Sequence, residues 1–241
     1  MSMRVTRIIP AIVVVIVGIG PAVSTGAPLL YSGKEIRASV VDAETGQPVD
    51  GAVVVAVWQL TPVSGEGPRL HVGEVVTDRG GAFFMPGWGP IARPPLTEAQ
   101  SDFPYLIVFK HGYVPVKLRN APKSDFARIR SLPPTPAKKA IYATGYEGTP
   151  ADSVQESVWN GMAIRIEAFR GSSAEWYGLL KNIQIDAGWR DVARMQRFYR
   201  ALLDEHAYLQ QHPPDTSQVD KRFADSFFDS IERRLKRGRN Q

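Results

Sequence analysis

From Glu35 to about Tyr113, apolar and polar residues follow the two-residue period of β-strands. In EIRASVVDA, Ile36, Ala38 and Val40 fall on one face and Arg37, Ser39 and Val41 on the other. AVVVAVWQL, residues 52–60, is β-branched and apolar except at Gln59, as expected of a strand in a sandwich core. RLHVGEVVTD alternates again, and Arg79-Gly80-Gly81 then turns the chain into AFFMP. YLIVFK, residues 105–110, reads as another buried strand closed by the His111-Gly112 turn. Short strands punctuated by Gly and Pro, with no helical period, predict an antiparallel β-sandwich.

Beyond this block the pattern loosens and then changes period. Residues 119–160 are rich in Pro and polar residues and predict an irregular insert, with Ile141, Tyr142 and Tyr146 able to pin parts of it to the sandwich. MAIRIEAF, residues 162–169, alternates once more and is expected to join the same sheet system. Ser172-x-x-Glu175 is a capping-box signature, with Trp176, Leu179, Leu180 and Ile183 behind it at helical spacing. Gly188 is expected to interrupt this helix. A second apolar face is expected from Trp189, Val192, Gln196, Tyr199, Leu203 and His206, ending before Pro213-Pro214. Asp215 is expected to cap a last helix over 216–237, with Val219, Phe223, Phe227 and Ile231 as its buried stripe, folded back on the helix before it.

VVDAETGQPVDGAVV, followed by VVTDRGGAFFMP and LIVFKHGYVP, resembles the carboxypeptidase regulatory-like domain, a transthyretin-like (prealbumin-like) sandwich. In that reading Asp42 to Gly46 turn the first strand, Pro48-Val49 lead into the next, and Thr77-Asp78 with Gly80 and Gly81 form a hairpin that returns Phe83 to the core. The resemblance covers residues 34–118, about a third of the chain. It implies a mainly β fold, a transthyretin-like antiparallel β-sandwich with a helical C-terminal extension. It implies almost nothing about function, because the module is a common extracytoplasmic addition.

The N-terminus speaks to compartment. Arg4 and Arg7 precede the apolar run Ile8–Val23, and no further charge appears until Lys34. A basic start, a short apolar core and small residues after it describe a secretory signal peptide, cleaved after Ser24 or Ala27. The alternative is an uncleaved anchor, although Pro10 and Pro21 leave the run short for a span of about 20 residues. The expected organisation is therefore a leader or anchor at 1–27, the sandwich at 34–170 including the insert at 119–160, and a helical region at 171–241. The protein is expected to be exported, periplasmic or otherwise extracytoplasmic, and, where the N-terminal segment stays uncleaved, held by it at the inner membrane.

Charge sharpens this reading. The chain has 29 basic and 24 acidic residues, a net +5. Five of the cations lie in RRLKRGR, Arg233 to Arg239, beyond the last acidic residue, Glu232. Residues 28–232 carry 22 basic against 24 acidic residues, or −2. A near-neutral body is not the footprint of a nucleic-acid-binding domain. The basic C-terminal helix could still meet an anionic membrane surface. There is no cysteine, which excludes disulfides, thiolate metal sites and a thiol nucleophile.

Candidate chemistry is sparse. Metallocarboxypeptidases bind zinc through His-x-x-Glu and a distant His, and this chain contains His71-Val-Gly-Glu74 and a later His206. On a regular strand, however, positions three apart point to opposite faces, so His71 and Glu74 could not share one metal ion. The signatures of serine hydrolases, phosphate-binding loops and dinucleotide folds are absent from the sequence. Trp88, in a Gly/Pro stretch with Arg93 close behind, could stack on a sugar ring or close one end of the sandwich core. The sequence thus predicts a non-catalytic interaction or scaffold protein with no cofactor and no metal. Its partner would be an unidentified protein or an envelope glycan. The alternatives are a carbohydrate- or peptidoglycan-binding module using the Trp88 loop, and, more remotely, a zinc hydrolase around His71.

Overall fold

A computed structural model of the chain describes residues 28–62, 67–99, 103–131, 152–187, 191–212 and 221–238. The protein is mainly β, with open sheets and a few helices. Eleven strands can be followed among the described residues: β1 (Leu30–Gly33), β2 (Ile36–Asp42), β3 (Val53–Pro62), β4 (Arg69–Val76), β5 (Ala82–Met85), β6 (Trp88–Ala92), β7 (Thr97–Ala99), β8 (Tyr105–Phe109), β9 (Val116–Leu118), β10 (Val154–Gln155) and β11 (Ala163–Ile166). Helices α1 (Phe126–Arg130), α2 (Ser173–Ala187), α3 (Gln196–Gln211) and α4 (Lys221–Gly238) complete the elements.

The largest sheet runs β4-β3-β8-β9, with β7 added at the far end of β3. All of its ladders are antiparallel. Two three-stranded sheets, β11-β2-β5 and β10-β1-β6, complete the β structure. β3 organises the interior because its side chains alternate between two cores. Val54, Ala56, Trp58 and Leu60 are buried with Ile36, Val40, Phe83, Met85 and Ile164 of the β11-β2-β5 sheet. Val53, Val55 and Val57 are buried on the other face, with Ile107 and Phe109 of β8 and the apolar sides of α2, α3 and α4. A strand covered on both faces needs no polar alternation, which is why 52–60 is apolar except at Gln59.

The turns follow the sequence chemistry. Asp42 Oδ1 accepts from the backbone N–H groups of Glu44 (2.9 Å) and Thr45 (2.7 Å) and from the Thr45 hydroxyl (3.0 Å). Asp78 Oδ1 accepts from Gly80 N–H and Ala82 N–H, both at 2.9 Å. The capping box at α2 is reciprocal: Ser172 N–H donates to Glu175 Oε2 at 2.7 Å, and Glu175 N–H donates to Ser172 Oγ at 3.3 Å.

Several expectations are corrected. The turn at 77–81 is not a hairpin, because β4 pairs with β3 whereas β5 pairs with β2. It carries the chain from one sheet to another. β11 joins the sheet system as expected but pairs in parallel with β2, as β10 does with β1. Trp88 opens strand β6 rather than sitting in a loop. Within the stretch expected to be irregular, a 3-10 turn at Lys123–Asp125 and α1 form, and Ile129 is buried. Ile141, Tyr142 and Tyr146 lie outside the described residues.

The helices dock as expected, with Trp176, Leu180 and Ile183 of α2 and Ile231 of α4 buried, but the buried face of α3 is shifted in phase. Along α3 the buried positions are Phe198, Tyr199, Leu202, Glu205 and Leu209, with Met195 just before them, while Gln196 and Leu203 are half-buried. A 3-10 turn at Val192–Arg194 precedes the helix, so residues before 196 do not share its period. On α4 the buried stripe is Phe228, Ile231 and Leu235. The side chains of Phe223 and Phe227, the His206 side chain, and the segment holding Trp189, Gly188, Asp215 and Val219 lie outside the described residues.

Candidate functional site

Trp88 is only 9% exposed. Its indole stacks on the His71 imidazole (centroids 5.2 Å apart, planes 17°) and meets Trp58 edge-on at 5.5 Å. Such a ring offers little open face to a sugar. Arg93 is half-buried, and its Nη1 donates to the Thr97 carbonyl at 2.9 Å. The pair therefore closes one end of a core.

His71 and Glu74 face opposite sides of β4. His71 lies opposite Trp58 in the ladder, on the face of the first core. Glu74 lies on the helical face, where its carboxylate accepts from Arg197 N–H (2.9 Å) and Phe198 N–H (2.7 Å) and caps α3 from the sheet. Burial, with the Arg194 charge behind it, pushes the His71 imidazole below its ordinary basicity. Among the described residues, no group of three His, Asp or Glu side chains is placed to hold a metal ion.

A different histidine is better equipped. β8 ends at Phe109, and the turn through Lys110, His111 and Gly112 is held from behind: Tyr113 N–H donates to Lys110 O (3.1 Å), and Phe169 N–H to Gly112 O (2.7 Å). His111 is 60% exposed, yet its Nδ1 lies 2.8 and 3.0 Å from the two oxygens of Glu205, whose side chain is 3% exposed. Glu205 projects from the buried side of α3, and Trp176 Nε1–H from the first turn of α2 donates to its Oε2 at 2.9 Å. Three separate elements thus converge on one carboxylate.

An ionised carboxylate can only accept hydrogen bonds, so this contact places the His111 proton on Nδ1. In the neutral imidazole Nε2 then carries the lone pair, and Nε2 has no protein hydrogen bond among the described residues. Edge-on contacts with Tyr208 (5.2 Å) and Trp176 (6.4 Å) restrict the ring further. Tyr208 in turn stacks on His212 at 4.4 Å, and His212 Nδ1 donates to the Tyr208 carbonyl at 3.1 Å. Two imidazoles, both with Nδ1 engaged, therefore flank one tyrosine ring. A histidine fixed in tautomer and orientation by a buried carboxylate can accept a hydrogen bond from a hydroxyl or amide, exchange a proton, or ligate a cation.

Sequence reasoning treated His111 only as part of a turn. The missed signal was Glu205, a carboxylate in phase with Phe198, Leu202 and Leu209 on the apolar side of α3. A stripe based on Leu203 and His206 hides it.

No family model matches the chain, and no curated protein matches it. Among solved structures, it is similar to 3-chlorocatechol 1,2-dioxygenase from Rhodococcus opacus 1CP, with 19% identity over 37% of this chain and 43% of that one, at a TM-score of 0.25. It is also similar to hydroxyquinol 1,2-dioxygenase from Pseudomonas putida DLL-E4, with 16% identity over 58% of this chain and 57% of that one, at a TM-score of 0.29. A third dioxygenase matches with 14% identity over 59% of this chain and 83% of that one, at 0.31. The chain spans less than two thirds of the length of the first two. These neighbours are enzymes, and the expectation that the protein is not an enzyme is corrected on that finding. Likenesses at this level of superposition assign no reaction to the chain.

Proposed function

We propose that the protein is an exported interaction protein, built on a transthyretin-like β-sandwich of the carboxypeptidase regulatory-like kind, which meets its ligand at His111. The observation that carries the ligand site is a buried glutamate fixing an exposed histidine. A buried carboxylate costs several kcal/mol unless its lone pairs are satisfied (roughly 3–5 kcal/mol when one partner is removed). Here part of that satisfaction comes from a side chain facing solvent, so the arrangement orients a surface group. The sandwich reading is supported by the core that β3 and β8 share with the β11-β2-β5 sheet and by the Asp42 turn. Export is supported by the sequence pattern of residues 1–27. Among the described residues, no helix is long and apolar enough to cross a membrane.

The test is site-specific photo-crosslinking in the native envelope. A photoreactive residue at Lys110, beside His111, should trap a discrete species. That species should be lost when Glu205→Gln, which leaves one acceptor oxygen for the two donors His111 and Trp176, no longer holds the imidazole in place, with the thermal transition still cooperative. A control probe at Lys117, on β9, should not trap it. Equal trapping at both positions, or trapping indifferent to Glu205→Gln, would remove His111 from the reading. An intact N-terminal Met1 on protein in the cytoplasmic fraction would remove export.

A further inference from the structure

We infer that the end of the helical layer where α3 begins and α4 ends is a docking surface for an anionic phospholipid membrane. α3 and α4 pack together, and the Val192–Arg194 turn before α3 packs on α4. Leu235, near the end of α4, is buried in the same core as Met195, Phe198 and Tyr199. The Arg234 charge is felt by the Tyr199 hydroxyl. The start of one helix and the end of the other therefore form a single surface.

That surface is cationic. Arg194 from the turn, Arg197 and Arg200 from α3, and Arg233, Lys236 and Arg237 from α4 are all exposed. Three of the neighbouring carboxylates are already engaged, while Asp204 and Asp229 stand exposed one turn from Arg200 and Arg233. Asp191 lies 3.2 Å from Arg69 and 3.6 Å from Arg194, Glu232 pairs with Lys236 at 2.7 Å, and Glu74 caps α3. Arg197, Arg200, Arg233 and Arg237 have no carboxylate partner among the described residues. Two of these four lie in the opening turns of α3, where the helix dipole disfavours cations, and no acidic side chain stands in its first turn. Local stability does not explain that placement, and breaches of local preference concentrate where a surface has another task.

The apolar side of α4 is docked, with Phe228, Ile231 and Leu235 buried. Contact with a bilayer is therefore made by guanidinium groups on lipid phosphates, not by insertion of the helix. A membrane is the partner favoured because the same chain opens with Arg4, Arg7 and the apolar run Ile8–Val23, which brings it to a bilayer as leader or anchor. Residues 28–232 carry −2 overall, so the molecule is charge-asymmetric and would orient on a negative surface. His111 meets Glu205 five residues beyond Arg200 along α3, and none of His111, Glu205 and Trp176 belongs to this surface.

The test is co-sedimentation of the full-length chain with phosphatidylglycerol-containing vesicles and with pure phosphatidylcholine vesicles, the latter reading any contribution of the N-terminal run. Partitioning should favour the anionic vesicles about tenfold at low salt and lose that preference at about 500 mM salt. Arg197→Gln/Arg233→Gln/Arg237→Gln should bring anionic binding down to the neutral-vesicle level with an unchanged thermal transition, and Arg→Lys at the same positions should retain it. Equal binding to both vesicle types overturns the inference. So does anionic binding that survives the Gln variant, or binding of soluble polyglutamate at the expense of vesicles. Crosslinking at Lys110 should be indifferent to these variants, which separates failure here from failure of the His111 site.

Discussion

His71 shows how a single ring can couple the core to pH. It lies against Trp58 and Trp88 and is only half-buried, and burial, followed by Arg194, lowers its basicity below the ordinary value of 6.5. With the folded imidazole the weaker base, the unfolded chain takes up a proton first as pH falls. The contribution of His71 is therefore complete above about pH 6.5 and declines as pH falls through the lower, folded value. His71→Phe, which keeps an aromatic ring between the indoles, should flatten that part of the stability–pH profile measured by thermal melts; an unchanged slope would mean His71 does not set it. At the same scale, Gly46 and Gly81 share a positive φ, 71° and 70°. A Cβ on Gly46 meets nothing within 4 Å, whereas one on Gly81 would collide with the Val40 carbonyl oxygen. Gly46→Ala should cost about 1 kcal/mol and Gly81→Ala clearly more, about 3 kcal/mol or above, by denaturant titration. The turn residues were legible because Asp, Thr and Gly announce turn chemistry locally. The role of His111 was not, since its partners Glu205 and Trp176 lie 94 and 65 positions away.

Among the elements, those with a strong period were readable and those defined by pairing were not. β3, β4 and β8 declared themselves by β-branched and apolar runs. β6 and β10 are short and contain few such residues, and they exist because β1 offers them a ladder. The parallel pairing of β11 with β2 is likewise a property of topology, which alternation along either strand cannot carry. On α4, an i, i+4 series through Phe227 and Ile231 and an i, i+3, i+7 series through Phe228, Ile231 and Leu235 are both apolar in the sequence. Packing against α3 and the 192–194 turn buries the second series. Two measurements follow. Ile231→Ala, at a fully buried position, should lower stability by about 2–5 kcal/mol in lipid-free buffer, against roughly 0.5 kcal/mol or less for the exposed Asp229→Ala. Glu74→Ala removes the only capping group seen at the start of α3 among the described residues and should cost about 1 kcal/mol, with Glu74→Gln recovering part of it through its remaining acceptor oxygen. Loss of stability for Asp229→Ala equal to that for Ile231→Ala would mean that α4 is not docked through this stripe.

Over the whole molecule, the sequence suggested a β block carrying a helical extension, but the cores are arranged differently. β3 and β8 give half their side chains to each of two clusters, and the helices form the far wall of the second. The helical region therefore completes the interior, and the apolar character of 52–60, broken only at Gln59, was the visible sign of it. Removing residues 171–241 would uncover Val53, Val55, Val57, Tyr105, Ile107 and Phe109 together. Each large side chain among them forfeits roughly 1.5–3 kcal/mol of burial, a sum comparable with the about 5–15 kcal/mol that stabilises an ordinary domain. A contiguous apolar sheet face of that extent also drives association. A chain ending at Arg170 should accordingly be recovered as aggregate, or as a molten species that binds a hydrophobic dye and melts without cooperativity. The full chain should show one transition, monitored alike by tryptophan fluorescence from Trp58 and Trp88 in one core and Trp176 in the other and by far-ultraviolet circular dichroism. A truncated chain that remains monomeric and melts cooperatively would make the helices an appendage after all, and two separated transitions in the full chain would make the two cores independent.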